Sequence, residues 1–325
     1  MRLLITGGSG FIGSNFIRTI LAKYTDIHVT NLDKLTYCGN PENLSDLSSD
    51  ERYSFVKGDI CDKDVVDRLV DGAEIVVNFA AETHVDRSIK YPDDFVMTNV
   101  YGVKNLLEAA RKSGISRFLQ IGTDEVYGSV PEGLSGEGDP LRPNSPYSST
   151  KAAGDLLALS YHSTFGLPVL VARSSNNFGP YQYPEKVIPL FITNLIDGKK
   201  VPLYGDGGNV RDWIHVEDNC RGLDAVLHKG VPGEIYNIGG GSRLSNIELT
   251  EKILCIMGKD ESSIEYVNDR PGHDRRYALD SSKIRALGWE PGSGFDEDLK
   301  KTVEWYKSNE GWWRKLKKKA EIIEW

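Results

Sequence analysis

The first residues of the chain predict a β-strand that runs into a glycine loop and then into a helix. Residues 2–6 form a short apolar run, and Gly7, Gly10 and Gly13 follow at intervals of three. The apolar residues after the loop recur at helical spacing: Phe11, Ile12, Phe16, Ile17, Ile20 and Leu21. Glycines let a backbone approach a pyrophosphate closely, and the free N–H groups of a helix start can hold it. This order of elements is typical of a dinucleotide-binding α/β fold.

An acidic residue stands where such folds contact a ribose. Asp33 lies twenty residues after Gly13 and ends the apolar run that starts at Ile27. A carboxylate at that position accepts hydrogen bonds from ribose hydroxyls and repels a 2′-phosphate, so the sequence predicts NAD rather than NADP. Glycines that serve only packing in a strand–turn–helix unit are the alternative. The strand, the helix and the acid occurring together argue against it.

Strand and helix patterns alternate through the first half of the chain. Predicted strands cover residues 2–6, 27–33, 53–57, 74–79, 117–121 and 168–172, and helices cover 63–70, 99–113 and 147–165. Such alternation predicts an α/β fold with a doubly wound parallel Rossmann sheet, covered by helices on both faces. Ligands of these sheets bind beyond the carboxyl ends of the strands. We therefore expect an NAD-binding domain at 1–172.

Glycine and proline become dense after residue 172, and the elements between them are shorter. We expect residues 173–325 to form mainly a smaller, mixed α/β lobe that binds the substrate, with helices near 245–257 and 295–308. Segments of this half can also return to the large sheet. The basic run 314–319 ends a tail that contains Trp312, Trp313 and Trp325, and we interpret this run as a solvated helix end rather than a partner site.

Charge and cysteine usage exclude several classes of protein. The net charge of −8 argues against nucleic acid as the main partner, and no apolar run is long enough to span a membrane. The four cysteines are scattered, which predicts reduced thiols in a cytoplasmic protein, with a zinc site as the weaker alternative. His84 and His273 stand outside any cluster with metal-ligand spacing, so no metal is expected.

A tyrosine and a lysine one helical turn apart indicate redox chemistry at a carbinol carbon. Tyr147 and Lys151 lie on one face of the predicted helix 147–165. A nearby ammonium lowers the pKa of a phenol, which can then remove a proton from a sugar hydroxyl while hydride leaves for a nicotinamide. A Tyr-x-x-x-Lys pattern alone is a frequent accident. Its meaning here comes from the dinucleotide-binding pattern that precedes it.

In this combination the chain resembles the extended short-chain dehydrogenase/reductase family. Within that family it resembles the dTDP-glucose 4,6-dehydratases along nearly its whole length. The residues that carry the resemblance, besides the glycine loop, Tyr147 and Lys151, are 84–88, 123–128, 175–182, 184–186, 211–213 and 270–274. Departures from the family's common residues occur at Thr83, Gly122, Ser174 and Phe178, and none removes a catalytic group.

The resemblance implies an NAD-dependent hydro-lyase that converts dTDP-glucose to dTDP-4-keto-6-deoxyglucose. Oxidation at C4 acidifies the C5 proton, which Glu125 takes as base while Asp124 protonates the departing C6 hydroxyl. Two neighbouring carboxyls can play opposite roles if their surroundings separate their pKa values. Thr123 then bonds the C4 oxygen beside Tyr147. Hydride returns to C6, and the reaction serves deoxysugar biosynthesis.

The resemblance also implies the binding residues and a homodimer. Expected NAD contacts, besides Tyr147 and Lys151, are Gly7, Gly10, Phe11, Ile12, Gly13, Asp33, Lys34, Leu35, Thr36, Asp59, Ile60, Phe79, Ala80, Ala81, Thr83, Thr98 and Asn177. Expected sugar-nucleotide contacts are Thr83, Thr123, Asn176, Lys186, Val187, Pro202, Leu203, Tyr204, Arg211, Asn246, Arg270 and His273. The dimer is expected to form through the helices at 99–113 and 147–165.

Three other functions remain open from the sequence. The same dehydration on a UDP-sugar differs only in the nucleotide base. A nucleotide-sugar C4 epimerase shares the glycine loop and the Tyr147/Lys151 pair, but has no need of an acid–base pair for water loss. A non-catalytic NAD-binding protein has no need of Tyr147, Lys151, Asp124 or Glu125.

Overall fold

The structure, a computed structural model, describes residues 1–292 and 294–319. Its strands are β1 (Arg2–Thr6), β2 (His28–Asp33), β3 (Tyr53–Lys57), β4 (Ile75–Asn78), β5 (Arg117–Thr123), β6 (Val169–Ser174), β7 (Asn176–Phe178), β8 (Val201–Tyr204), β9 (Val210–His215), β10 (Ile235–Ile238), β11 (Ser242–Ser245) and β12 (Ile264–Val267). Seven of them form one parallel sheet in the order β10-β6-β5-β4-β1-β2-β3. The predicted doubly wound sheet is therefore confirmed.

Helices cover both faces of this sheet. The α-helices are α1 (Phe11–Lys23), α2 (Lys63–Asp71), α3 (Val85–Lys90), α4 (Pro92–Val96), α5 (Val103–Ser113), α6 (Pro146–Phe165), α7 (Val187–Ile196), α8 (Val216–Lys229), α9 (Asn246–Met257), α10 (Ser282–Arg285), α11 (Phe295–Ser308) and α12 (Glu310–Lys317). Helices α1 and α8 pack on one face, and α2, α5 and α6 on the other. The inner strands β1, β4, β5 and β6 are buried on both sides, as apolar parallel strands require, while the edge strand β3 is partly exposed.

The second half of the chain builds a smaller lobe and also returns to the large sheet. A three-stranded sheet, β11-β9-β7, and a two-stranded sheet, β12-β8, pack with α7, α9, α11 and α12 around a third hydrophobic core. Strand β10 and helix α8 belong to the Rossmann layer. The expected boundary at residue 172 falls inside β6, and a division of the chain into two domains there stays a prediction.

One predicted helix starts later in the structure. Helix α5 begins at Val103 because Met97–Gly102 forms a π-helical stretch. Within that stretch the Asn99 side chain bonds the main chain of Glu82 and the hydroxyl of Thr150. π-helical turns of this kind are frequent next to functional sites.

The tryptophans Trp312 and Trp313 of the tail pack against the body of the protein, while Arg314, Lys315, Lys318 and Lys319 of the basic run are exposed, as expected of a solvated helix end. Trp313 is fully buried, and Trp312 donates its indole N–H to Asn43 at 2.9 Å. Arg314 and Lys317 both pair with Asp197. The basic run thus neutralises an acidic neighbour. Trp325 lies outside the described residues.

Within residues 1–292 and 294–319, no helix combines the length and the apolar character needed to cross a bilayer.

Candidate active site

A pocket opens at the carboxyl ends of β1, β2, β4, β5 and β6, where a doubly wound sheet binds its ligands. Its volume is about 290 Å³. The expected residues that line it are Gly7, Gly10, Phe11, Ile12, Gly13, Asp33, Lys34, Thr36, Asp59, Ile60, Phe79, Ala80, Ala81, Thr83, Thr98, Thr123, Asp124, Glu125, Tyr147, Lys151, Asn176, Asn177 and Lys186. The glycine loop and the Tyr147/Lys151 pair, distant in sequence, therefore face one cavity.

The glycine loop has the close packing that its sequence predicts. Gly7 has a φ of 70°, and a Cβ there would lie 2.6 Å from the backbone nitrogen of Ala80. A Cβ on Gly13 would lie 2.5 Å from the carbonyl oxygen of Gly7. Helix α1 starts after Gly10 with no side-chain cap and no acidic residue in its first turn. Its first N–H groups and its positive dipole end are thus available to an anion in the pocket.

Asp33 is fixed by the loop that it faces. Its two carboxylate oxygens accept hydrogen bonds from the backbone N–H groups of Ser9 at 2.9 Å and Leu35 at 2.8 Å. Burial raises the pKa of Asp33, and these two N–H groups lower it. A carboxylate oxygen can accept more than one hydrogen bond, so both oxygens retain capacity for ribose hydroxyls. Leu35 itself does not line the pocket, and its own expected cofactor contact stays a prediction.

Several buried polar atoms along the pocket have no hydrogen-bond partner within the described part of the chain. They are Oγ of Ser175, Oδ1 of Asn176 and Asn177, and Oδ2 of Asp124. Buried polar atoms are normally satisfied, so unpaired ones that line a cavity point to a ligand rich in hydrogen-bonding groups. Together with the uncapped start of α1 and the carboxylate of Asp33, these atoms fit a dinucleotide that extends from the glycine loop to the ends of β5 and β6.

Tyr147 and Lys151 lie in the first turns of α6. Ser145, the residue before Pro146, caps this helix. The Ser145 and Ser148 side chains form a reciprocal capping box. Lys151 is 6% exposed, and its ammonium donates to the carbonyl oxygen of Ile121 at 2.5 Å. This geometry fixes the lysine to the end of β5, beside the tyrosine.

One electrostatic expectation for this pair was wrong. Burial raises the pKa of Tyr147 above its usual value, Glu125 and Asp124 add to the rise, and a hydrogen bond with Thr123 opposes it. The predicted lowering by Lys151 is not seen, because burial of the phenol dominates. Burial also lowers the pKa of Lys151, since a low-dielectric site disfavours its charged form.

The carboxyl pair follows β5 directly. Asp124 is 3% exposed, and its Oδ1 accepts a hydrogen bond from the Thr123 hydroxyl at 3.2 Å. Burial raises the pKa of Asp124 well above its usual range, and the nearby carboxylates Glu125 and Asp212 add to this. Burial also raises the pKa of Glu125, but Arg270, Arg211 and Lys186 oppose it. The pKa of both carboxyls is therefore raised, but more cations oppose the rise at Glu125 than at Asp124.

The two expected substrate arginines are held by acidic and carbonyl groups near Glu125. Arg270 pairs with Asp86 at 3.1 Å, and the Tyr204 hydroxyl contacts the same carboxylate at 3.4 Å. Arg211 donates to the main-chain oxygen of Asp274 at 2.9 Å. Both guanidinium groups are buried or nearly so. They are thus placed, rather than free, before any ligand binds.

The remaining expected substrate residues do not line the pocket: Val187, Pro202, Leu203, Tyr204, Arg211, Asn246, Arg270 and His273. For Leu203 the structure gives a physical reason. β8 alternates, so Leu203 is 1% exposed in the core of the smaller lobe, while Pro202 and Tyr204 lie on the other side. The Leu203 side chain therefore lies in the core of the smaller lobe, and its expected contact with the sugar nucleotide stays a prediction.

Residues outside the predicted set also line the pocket. They are Leu32, Tyr37, Cys38, Gly39, Gly58, Glu82, Ile121, Ser174, Ser175, Gln182, Tyr183 and Glu185. Most are neighbours in sequence of predicted residues, so extending each motif by two or three positions would have found them. The guanidinium carbon of Arg87 lies 4.0 Å from the centroid of the Tyr37 ring. That contact joins distant segments and has no signal in the sequence.

Comparison with known proteins places this site in a family. The family model of GDP-mannose 4,6-dehydratase matches residues 4–302. A dTDP-glucose 4,6-dehydratase of Streptomyces niveus is 54% identical over 322 residues, which cover 98% of this chain and 96% of that protein.

Solved structures show the same fold. A dTDP-glucose 4,6-dehydratase from Streptomyces venezuelae, with NAD and TYD bound, has a TM-score of 0.95 and 52% identity, with 97% of this chain and 100% of that chain covered. A UDP-glucose 4-epimerase of Thermus thermophilus, complexed with NAD, has a TM-score of 0.87 and 33% identity, with 95% and 100% covered. The family match, the identity and the coverage agree, and the chain belongs to the nucleotide-sugar 4,6-dehydratase family that contains the dTDP-glucose 4,6-dehydratases.

Proposed function

We propose that this enzyme uses NAD to convert dTDP-glucose to dTDP-4-keto-6-deoxyglucose, by oxidation at C4, loss of water across C5 and C6, and return of hydride to C6. The observation that carries the proposal is the meeting of Asp124 and Glu125 with Tyr147 and Lys151 in one dinucleotide-shaped pocket. Relatives named dTDP-glucose 4,6-dehydratase, and their solved structures with NAD bound, support it.

Tyr147 and Lys151 carry out the proton transfer of the oxidation. Bound NAD supplies the acceptor for the C4 hydride and later the donor for C6. Tyr147 removes the C4 hydroxyl proton, and Thr123 bonds the same oxygen. Because burial raises the pKa of Tyr147, its proton loss needs added positive charge, which the Lys151 ammonium would supply together with bound oxidised NAD.

Asp124 and Glu125 divide the elimination between them. Burial raises the pKa of Asp124 well above its usual range, which favours the protonated carboxyl and suits this group to give a proton to the leaving C6 hydroxyl. Glu125 accepts the C5 proton and returns one there after water has left, and the cations around it favour its ionised form. The pattern is the one expected when two carboxyls share a site in opposite roles.

Cationic side chains near the pocket suit a diphosphate. Arg211 and Arg270 present guanidinium groups, which bind phosphate oxygens bidentately. Lys186 lines the pocket and donates to the main-chain oxygen of Thr83 at 3.3 Å. We assign the sugar diphosphate to the space between these groups and Glu125, with Asn246 and His273 farther along the nucleotide.

A C4 epimerase is the second candidate, because a UDP-glucose 4-epimerase shares the fold. Epimerisation needs the tyrosine and lysine but no group that protonates a leaving hydroxyl. The buried Asp124 beside Glu125, whose raised pKa suits a proton donor, has no task in that reaction. Dehydration of a UDP-sugar uses the same residues and differs in the nucleotide base alone.

A homodimer through neighbouring helices completes the proposal. Val96, Met97, Tyr101, Leu156 and Phe165 are large apolar residues that are 43–56% exposed, and they lie on the helical segments 92–113 and 146–165. Exposed apolar residues grouped on adjacent helices are typical of a protein interface. A monomeric mass by sedimentation at micromolar concentration would contradict this. We also assign the protein to the cytoplasm, where its four unpaired thiols would stay reduced; fractionation can check this.

A substrate panel tests the proposed reaction. The protein is incubated separately with dTDP-glucose, UDP-glucose and UDP-N-acetylglucosamine, and products are followed by mass spectrometry and proton NMR. We expect loss of one water from dTDP-glucose with a new methyl signal, and none with the Tyr147→Phe protein as control. Water loss from a UDP-sugar alone would move the assignment to that nucleotide, and a C4 epimer without water loss would replace the dehydratase by an epimerase.

A further inference from the structure

A buried charged pair joins β6 to α6, the helix that carries Tyr147 and Lys151. Neither residue of the pair lines the pocket. Asp155 follows Lys151 by one turn of α6 and is fully buried. Its Oδ2 accepts a hydrogen bond from Nε of Arg173 on β6 at 2.9 Å, and Arg173 is 1% exposed. Arg173 also donates to the Tyr127 hydroxyl at 2.9 Å. Buried charges are costly to maintain, so a pair in this position requires an explanation.

Lys151 and Asp155 lie against two adjacent residues of β5. The Lys151 ammonium bonds the carbonyl oxygen of Ile121, and a Cβ on the next residue, Gly122, would lie 2.8 Å from the Asp155 carboxylate. Gly122 is in register with Arg173 across the sheet. The carboxylate therefore lies against the strand at the point where the lysine is anchored.

The hydrogen bond from Arg173 uses one of the two carboxylate oxygens of Asp155. Its Oδ1 has no hydrogen-bond partner among the residues that the structure describes. Lys151 carries three N–H donors, one of which is spent on Ile121. The other ionisable groups around the pair are Arg173 on β6, Tyr147 on α6, and Tyr127, Asp124 and Glu125 after β5.

We propose that Asp155, held in place by Arg173, is a positioning residue that keeps Lys151 charged and directed toward the end of β5, next to Tyr147. This inference rests on the proposed function, because it assigns the lysine its part in the oxidation. Burial lowers the pKa of Lys151, and Asp155 is the neighbour that raises it again. Without Asp155 the lysine loses its proton at a lower pH, and the oxidation loses its ammonium.

The test is the pH profile of the first half-reaction in the Asp155→Asn protein. Reduction of bound NAD by dTDP-glucose is followed in single turnovers from about pH 6 to about pH 10, a range that brackets the titration of a lysine whose pKa burial has lowered. Asparagine keeps an oxygen for Arg173 but removes the negative charge. We expect the alkaline limb to move down by about one pH unit, since a buried neighbouring charge shifts a pKa by that order. An unmoved limb would overturn the proposal.

Tyr127→Phe is the matched control for a purely structural role. It removes the hydroxyl that bonds Arg173 and Asn237 but leaves the Asp155 charge in place. Both variants are expected to lower the melting temperature, and only Asp155→Asn is expected to move the alkaline limb. Equal movement in both would also overturn the proposal, because general loosening would explain it.

Two further measurements keep the result interpretable. If Asp155→Asn fails to fold, the double variant Asp155→Asn/Arg173→Gln removes both buried charges and carries the same expectation. If the parent does not reduce its NAD with dTDP-glucose, the proposed function fails, not this inference. NMR titration of protein labelled at the lysine ε-carbon then decides, with Lys151→Arg for assignment. A Lys151 midpoint that is the same in parent and Asp155→Asn would contradict the proposal.

Discussion

The Tyr147→Phe protein should bind NAD and dTDP-glucose but scarcely reduce the cofactor. Loss of the phenol removes the group that takes the C4 proton, and a positioned acid or base contributes about 10²–10⁴-fold to rate. The ring itself should stay in place, because it is 8% exposed and packs edge-on to Phe95 with centroids 6.4 Å apart. Single-turnover absorbance at the NADH band should therefore remain flat on the timescale of the parent.

Fold and cofactor content provide the control for this variant. The circular dichroism spectrum and the amount of NAD released on denaturation should match the parent. A Tyr147→Phe protein that reduces NAD at the rate of the parent would remove Tyr147 from the oxidation. Slow reduction with unchanged product composition would still agree with the assignment, since water at the vacated hydroxyl position can act as a weak base.

The Asp124→Asn protein should show the opposite behaviour, with oxidation intact and elimination blocked. Asparagine has nearly the shape of the Asp124 carboxyl, whose raised pKa favours the uncharged form, and it can still accept the Thr123 hydrogen bond. It cannot give a proton to the departing C6 hydroxyl. We expect water loss to fall by about 10²–10⁴-fold and the NADH band to rise and persist. Product is measured by mass spectrometry in the same samples.

A surface carboxylate serves as the matched control for Asp124. Asp67 on α2 forms an exposed ion pair with Lys63, so Asp67→Asn should leave both steps unchanged. Water loss by Asp124→Asn at the parental rate would exclude Asp124 as the general acid. Loss of both NADH formation and water release would show instead that the residue supports the site as a whole.

The large sheet could be predicted because its signals are local. The strand before Gly7, the helix that begins at Phe11 and the acid Asp33 can each be recognised from a few residues of sequence, and in a parallel sheet the carboxyl ends of the strands meet at one edge. The same reasoning placed Thr123, Asp124 and Glu125 after a strand and Tyr147 on a helix. Their convergence on one pocket follows from the parallel topology.

The parts of the site that could not be predicted depend on pairs of residues far apart in sequence. Arg270 pairs with Asp86, and Asp155 on α6 pairs with Arg173 on β6. No periodicity marks such pairs. Strand β10, which lies beside β6 at the edge of the sheet, also comes from a glycine-rich half whose pattern suggested a separate lobe. For Tyr147, burial reversed the expected direction of the pKa because exposure is set by the tertiary fold.

In the proposed reaction a single cofactor takes hydride from C4 and gives it back to C6 of the same sugar, while Asp124 and Glu125 remove water. The most direct measurement is the fate of deuterium at C4 of dTDP-glucose, read by NMR and mass spectrometry of the product. We expect deuterium in the C6 methyl group and, for reaction in heavy water, one solvent deuterium at C5. Deuterium retained at C4 without loss of water, or released in free NADH, would contradict it.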